Sequence, residues 1–166
     1  MRKYLSLLAL IGLSACIVVP VPVGVITPTT EPATRAAVTP AMSTASFTSQ
    51  INAYRSQQGR APLRQSAELT RAAEAHARDM AQRGYFSHRS EGGPNGVTFM
   101  QRSRAAGCNM RSGAENIATG QTSEAQVIAA WADSAGHRRN MLGSGYREYG
   151  LGRVGNIWVL KLAAAC

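Results

Sequence analysis

Two patterns of apolar residues divide this chain into a helical part and a strand-forming end. Across residues 69–80, apolar side chains recur at spacings of three and four, which is the period of a helix face. Across residues 157–162, directly after the turn-forming pair Gly155-Asn156, successive side chains fall on the two faces of a strand. Helices that precede a small antiparallel hairpin favour an α+β fold.

The same patterns predict the individual elements, because capping residues and glycines mark helix ends. The predicted helices cover residues 47–58, the stretch between Ser66 and Gly84, residues 97–105 and the stretch from Ser123 to Asp133, with another helix beginning near Ser134. The predicted strands cover residues 114–118, 149–154 and 157–162. We expect Trp131 to lie in the core, and His76 to be a half-buried helix residue with a local hydrogen bond.

The first residues are typical of a secretion signal. Arg2 and Lys3 precede an apolar run at residues 5–13, which is shorter than the roughly 20 residues of a membrane-spanning helix. The run ends in Leu-Ser-Ala-Cys at residues 13–16, which resembles the bacterial lipobox. This predicts a signal peptide at residues 1–15 and lipidation of Cys16; an ordinary signal peptide cleaved elsewhere is the alternative. Ile17 favours sorting to the outer membrane if the cell has two membranes.

Residues 16–45 form a predicted tether rich in proline, threonine and valine. Five of the seven prolines lie in it, at positions 20, 22, 28, 32 and 40. Proline-rich chain is extended, at about 3.1 Å per residue, so we expect the tether to hold a single domain, residues 46–166, away from the membrane. The predicted location is the cell envelope, facing the periplasm or the exterior.

The predicted domain is basic and contains two cysteines. From Ser46 onward, 15 Arg and Lys residues stand against eight Asp and Glu, a net charge of +7. Such an excess suits anionic lipid headgroups or acidic envelope polymers, whereas the secretion signal and the lack of a basic-aromatic motif argue against nucleic acid. Cys108 and Cys166 are expected to form a disulfide in an oxidising compartment; two free thiols or a metal site are the alternatives.

Four short segments contain the candidate catalytic and ligand-binding residues. They lie at residues 86–88, 113–117, 131–138 and 146–152. They place His88, Glu115 and His137 on separate loops or element ends, where functional groups tend to lie. Together with residues 51–55 and 59–63, their order resembles a bacterial CAP-superfamily domain, also called the SCP domain. The resemblance covers about residues 47–162 and implies an α-β-α three-layer sandwich with a small central sheet.

The resemblance also implies a cleft lined by His88, Glu115 and His137, with Asn116 as a further ligand-binding candidate. In many relatives two histidines and two acidic residues in this cleft bind a divalent cation such as zinc. This chain departs from that pattern, because Ser134 stands where many relatives have glutamate and Asp133 is the nearest acid. The predicted metal set is therefore His88, Glu115 and His137, with Asp133 or Ser134 as a fourth candidate.

Three functions follow as hypotheses. The first is an envelope-anchored module whose cleft binds a lipid or a protein ligand, as lipid binding by some relatives implies. The second is a divalent-metal-assisted hydrolase or protease that uses the three cleft residues, and the third is an adhesion or envelope scaffold without cleft chemistry. No Gly-x-Ser-x-Gly motif is present, which counts against acyl-enzyme chemistry. We rank binding first and leave enzymatic activity open.

Overall fold

The structure, a computed structural model, describes residues 46–166. The predicted signal peptide, Cys16 and the tether lie outside the described residues. In the described part no helix combines the length and apolar character needed to cross a membrane.

Within residues 46–166, five helices precede or separate the strands, close to the positions that the sequence predicts. The helices are α1 (Phe47–Gln57), α2 (Ala67–Arg83), α3 (Phe99–Ala105), α4 (Glu124–Asp133) and α5 (Ala135–Met141). The hydroxyls of Ser66, Thr98 and Ser123 accept a backbone N–H at the start of α2, α3 and α4. Each satisfies a donor that a helix leaves unpaired in its first turn. Thr98 forms a reciprocal capping box with Gln101, so α3 begins later than predicted.

The strands form one mixed sheet. They are β1 (Arg64–Gln65), β2 (Gly113–Thr119), β3 (Glu148–Val154) and β4 (Ile157–Ala163), in the spatial order β1-β3-β4-β2. The hairpin β3-β4 and the pair β2-β4 are antiparallel, and β1 runs parallel to β3. The sequence did not predict β1, because two residues are too few to show a periodic pattern.

Helices cover both faces of the sheet, which confirms the predicted three-layer sandwich. On one face, α1, α4 and α5 pack against Trp158, Leu160 and Leu162 of β4. Trp131 is 1% exposed there, as expected for a core residue. On the other face, the small side chains of α2 pack against Ile117 and Val159. Alternate residues of β2 and β4 therefore point into different layers.

A disulfide joins Cys108, which follows α3, to Cys166, as predicted. Cys166 lies three residues beyond the end of β4. Closing a loop across 58 residues restricts the unfolded chain, which typically contributes about 2 to 4 kcal/mol to stability.

Two glycines of β3 let the strand touch the backbone of α2. A Cβ atom added at Gly150 would lie 2.5 Å from the carbonyl oxygen of Leu69, and one at Gly152 would lie 2.5 Å from that of Ala73. These atoms belong to helix backbone and have little freedom to move aside. The two layers therefore approach as closely as they do because β3 lacks side chains at these two positions.

We predict that Gly150→Ala lowers the free energy of unfolding by about 3 kcal/mol, because the added methyl group overpacks the contact between α2 and β3. Urea denaturation followed by circular dichroism measures the change. Gly145→Ala is the matched control, since a Cβ at that position meets nothing within 4 Å, and it should change stability by less than about 0.5 kcal/mol. Equal effects of the two substitutions would contradict this account of the layer spacing.

Candidate functional site

His88 lies in the loop between α2 and α3, and its ring is both held and accessible. Its side chain is 52% exposed, while Nδ1 lies 3.0 Å from Oε1 of Glu115. A carboxylate accepts hydrogen bonds, so Nδ1 carries a proton and donates it to Glu115. The contact thus fixes the tautomer of a histidine that remains open to solvent.

Glu115 is the third residue of β2, and not a loop or element-end residue as the sequence suggested. Its side chain is 2% exposed. Oε1 accepts hydrogen bonds from His88 and from Nη2 of Arg102 at 3.1 Å, and Oε2 accepts from Arg102 at 3.1 Å and from Nζ of Lys161 at 2.6 Å. Burial alone would raise the pKa of Glu115, but the His88 hydrogen bond and the charges of Lys161 and Arg102 lower it to about 2.

The two cations beside Glu115 come from different elements. Lys161 lies directly opposite Glu115 in the pairing of β2 with β4 and is fully buried. Burial lowers the pKa of Lys161 to about 8, although the neighbouring carboxylate opposes that shift. Arg102, on α3, also donates to the carbonyl oxygens of Val97 at 2.6 Å and His88 at 2.9 Å. It therefore anchors the backbone of the His88 loop as well as the carboxylate beneath it.

His76, on α2, lies beneath the same loop, and our expectation of a half-buried residue is wrong. The ring is fully buried, because α2 packs flat against the sheet. Nε2 lies 3.0 Å from the carbonyl oxygen of Ser87 and 3.9 Å from Oε1 of Glu115, so it donates to the carbonyl. Burial lowers the pKa of His76 to about 4, which keeps the ring neutral at physiological pH. Within residues 46–166 its Nδ1 has no hydrogen-bond partner.

Asn116 fixes the second histidine from the opposite face of β2. Its Nδ2 donates to the carbonyl oxygen of His137 at 3.0 Å, and its Oδ1 accepts from Nδ2 of Asn140 at 2.8 Å. Both partners belong to α5, so the amide ties the edge of the sheet to that helix. His137 is partly buried, and its pKa is lowered by burial and by the charge that His88 carries when protonated.

The donors proposed for a divalent cation do not fit one. No group of three or more His, Cys, Asp and Glu side chains in residues 46–166 has the arrangement of a metal site. His137 makes no ion pair with Glu115 in this region, and Asp133 is exposed. A cation at Glu115 would also meet Lys161 and Arg102, and unit charges 4 Å apart repel by about 4 kcal/mol at an effective dielectric of about 20. The side chains around Glu115 therefore do not form a site suited to a divalent cation.

Comparison with known proteins decides the family. The sequence profile of the cysteine-rich secretory protein family, CAP, matches residues 48–157. The chain belongs to the CAP family. It is 36% identical over 109 residues to the protein YkwD of Bacillus subtilis, a match that covers 64% of this chain and 41% of YkwD. The chain therefore spans less than half the length of that relative.

Solved structures agree with the assignment. An extracellular protein of Bacillus anthracis that contains an SCP domain superposes with a TM-score of 0.66 at 25% identity, covering 70% of this chain and 38% of that one. An outer surface protein of Borrelia burgdorferi superposes with a TM-score of 0.64 at 20% identity, covering 72% and 90% of the two chains. At that lower identity the likeness shows the fold alone.

A surface depression adjoins the His88 loop of this CAP domain. It has a volume of about 430 Å³ and is lined by Arg83, Tyr85, Ser87, Arg89 and Glu91. Behind it, the buried carboxylate of Asp79 accepts hydrogen bonds from the hydroxyls of Tyr85 and Ser90 and from Arg83. These hydrogen bonds lower the pKa of Asp79, although burial opposes them. The wall of the depression is therefore held from within by an ionised carboxylate.

Sequence reasoning found His88 and Glu115 but missed Lys161, Arg102 and His76. A signal for Lys161 was present, because it stands in the apolar strand β4, and a lysine buried in a sheet needs a carboxylate partner. The register that supplies Glu115 as that partner became visible only in three dimensions. Nothing in the local sequence of α3 marks Arg102 as different from its exposed neighbour Arg104.

The burial of neutral His76 predicts that acid weakens the fold. An unfolded chain binds a proton at this histidine below pH 6.5, whereas the folded chain binds it only near pH 4. Stability should therefore fall as pH drops from 6.5 to 4, by about 3 kcal/mol for His76 alone, and Glu115 should extend the loss between pH 4.5 and 2.

Urea denaturation at pH 7 and pH 4 tests this for the wild-type protein and for His76→Gln. The stability difference between the two proteins should shrink by about 3 kcal/mol at pH 4, because only the wild type has this protonation penalty. His137→Gln is the control, since that ring is only partly buried and should show a weaker dependence on pH. A constant difference between wild type and His76→Gln would contradict the prediction.

Proposed function

We propose that this protein is an envelope-anchored CAP-domain lipoprotein whose cleft, lined by His88, Glu115 and His137, binds an amphipathic lipid with an anionic headgroup. A protein ligand is the alternative occupant that the experiment below distinguishes. The observation that carries the proposal is that the His88 ring is held by a hydrogen bond and is nevertheless exposed to solvent. A buried carboxylate fixes it from below, and about half of its surface remains available for contact.

The surroundings of His88 suit a ligand that is apolar at one end and negative at the other. Phe86 is 47% exposed and is the one large apolar side chain in residues 46–166 that faces solvent to this extent. Arg83 and Arg89 line the adjoining depression, where Arg89 also pairs with Glu91 and Arg83 with Asp79, and Tyr85 supplies an aromatic wall. Guanidinium groups bind phosphate and carboxylate oxygens well, while aromatic rings contact acyl or ring carbons.

Charge supports the same choice of ligand. The described domain carries a net charge of +7, which attracts anionic lipid surfaces. Lipidation of Cys16 would keep the domain close to such a surface on its predicted tether. The similar Bacillus anthracis protein, described as extracellular, supports an external location. The metal-assisted hydrolase takes second place, because the donors around Glu115 do not fit a cation.

Native mass spectrometry of the full-length anchored protein, released from nonionic detergent after addition of a short-chain phosphatidylglycerol, tests the proposal. We expect one bound lipid per chain. Phe86→Ala and Arg89→Ala should each reduce its affinity by about tenfold, since burying a phenylalanine contributes about 1.5 to 3 kcal/mol and a charge-assisted contact a similar amount.

Arg60→Ala is the matched control, because Arg60 is exposed in the turn after α1, away from the His88 loop. The anchor is the same in all variants, so a difference between them reports on the cleft. Equal lipid binding by all variants would mean that the lipid associates with the anchor and not with the cleft, which would contradict the proposal. A protein without lipid that retains an envelope protein only when His88 is intact would favour the protein ligand instead.

A further inference from the structure

We propose that the buried ammonium group of Lys161 pairs with the carboxylate of Glu115 and thereby prevents the CAP cleft of this protein from binding divalent metal ions. The inference concerns the chain's own residues and does not depend on which ligand the cleft binds. Lys161 is fully buried, and the strand pattern of the sequence alone gives it no functional role.

The hydrogen-bonding capacity of Glu115 is already used. A carboxylate offers about four lone-pair sites, and four contacts reach this one. Two come from the single Nη2 atom of Arg102, one from Nδ1 of His88 and one from Nζ of Lys161. The Lys161 contact, at 2.6 Å, is the shortest of the four. A metal ion could coordinate Glu115 only by displacing one of these donors.

The displaced donor would have no alternative partner. The side chain of Lys161 is fully buried, so its ammonium cannot turn to water. The ring of Phe99 lies 5.7 Å from Nζ and offers a weaker contact than a carboxylate. A buried cation that loses its only carboxylate is strongly unfavourable, so a metal would have to compensate for that loss before binding.

The charge balance also opposes a metal. Lys161 and Arg102 carry two positive charges, both almost completely buried, against the single negative charge of Glu115. The site beneath His88 is therefore positive before any ligand arrives. A divalent cation would be repelled, whereas neutral and anionic groups would not.

The backbone fixes this arrangement. Lys161 is the direct cross-strand partner of Glu115, and on its other side it faces Gly150, whose missing side chain lets α2 close over the sheet. The ammonium is thus placed by strand register and sealed in by helix packing. Removal of Lys161 should leave the rest of the frame in place and free one side of the carboxylate.

Titration of Zn²⁺ into the full-length protein tests the inference, with binding measured by isothermal calorimetry and the histidine rings followed by NMR. We expect no shift of the His88 ring resonances in the wild type. Lys161→Met and Lys161→Gln remove the charge at similar side-chain length. They should bind Zn²⁺ more tightly than wild type by on the order of tenfold or more, with the His88 ring shifted.

The double variant Lys161→Met, Glu115→Gln is the control and should lose the acquired binding, because it lacks the anionic ligand. Lys161→Arg should resemble the wild type, because it retains the positive charge. Zn²⁺ binding by the wild type that is lost in His88→Ala would overturn the inference without requiring any Lys161 variant to fold. Folded Lys161→Met and Lys161→Gln proteins that bind Zn²⁺ no better than wild type would overturn it as well. Neither result bears on lipid binding, so the two proposals fail separately.

Discussion

The carboxylate of Glu115 joins four parts of this domain. It lies on β2 and receives Lys161 from β4, Arg102 from α3 and His88 from the loop after α2, with the ring of His76 on α2 close by. Because the group is buried, every one of these contacts acts in a low dielectric, where loss of a single partner leaves an uncompensated charge. The position of the His88 loop therefore depends on one ionised side chain.

The sheet explains how one strand holds the segments that carry His88 and His137. In the described sheet β2 is one of the two edge strands, and its successive residues Glu115 and Asn116 point to opposite faces. Glu115 holds the His88 loop on the side of α2, while Asn116 holds the start of α5, with His137, on the other. Neighbouring positions of one strand thus position both of the segments that carry these histidines.

Much of this fold could be predicted from the sequence, because helix caps, helix-period apolar faces and the late hairpin are local signals. The positions of His88, Glu115 and His137 came from motif order. The buried network did not, since its members are 13 to 46 residues from Glu115 in sequence and meet only through strand register and helix packing. Composition cannot show that Lys161 points inward, nor that His76 lies against the carboxylate and not at a half-exposed helix face.

The buried charges are better explained by the site than by stability. Several charged groups removed from water carry a large desolvation penalty, and well-packed apolar residues of the same volume are often as stable or more so. An apolar cluster at this position would still join β2, β4 and α3. It could not accept a hydrogen bond from Nδ1 of His88, fix the tautomer of that ring, or hold the loop through Arg102. The network thus does for an exposed histidine what a hydrophobic core cannot, because it fixes the orientation of the His88 ring and holds the loop that carries it.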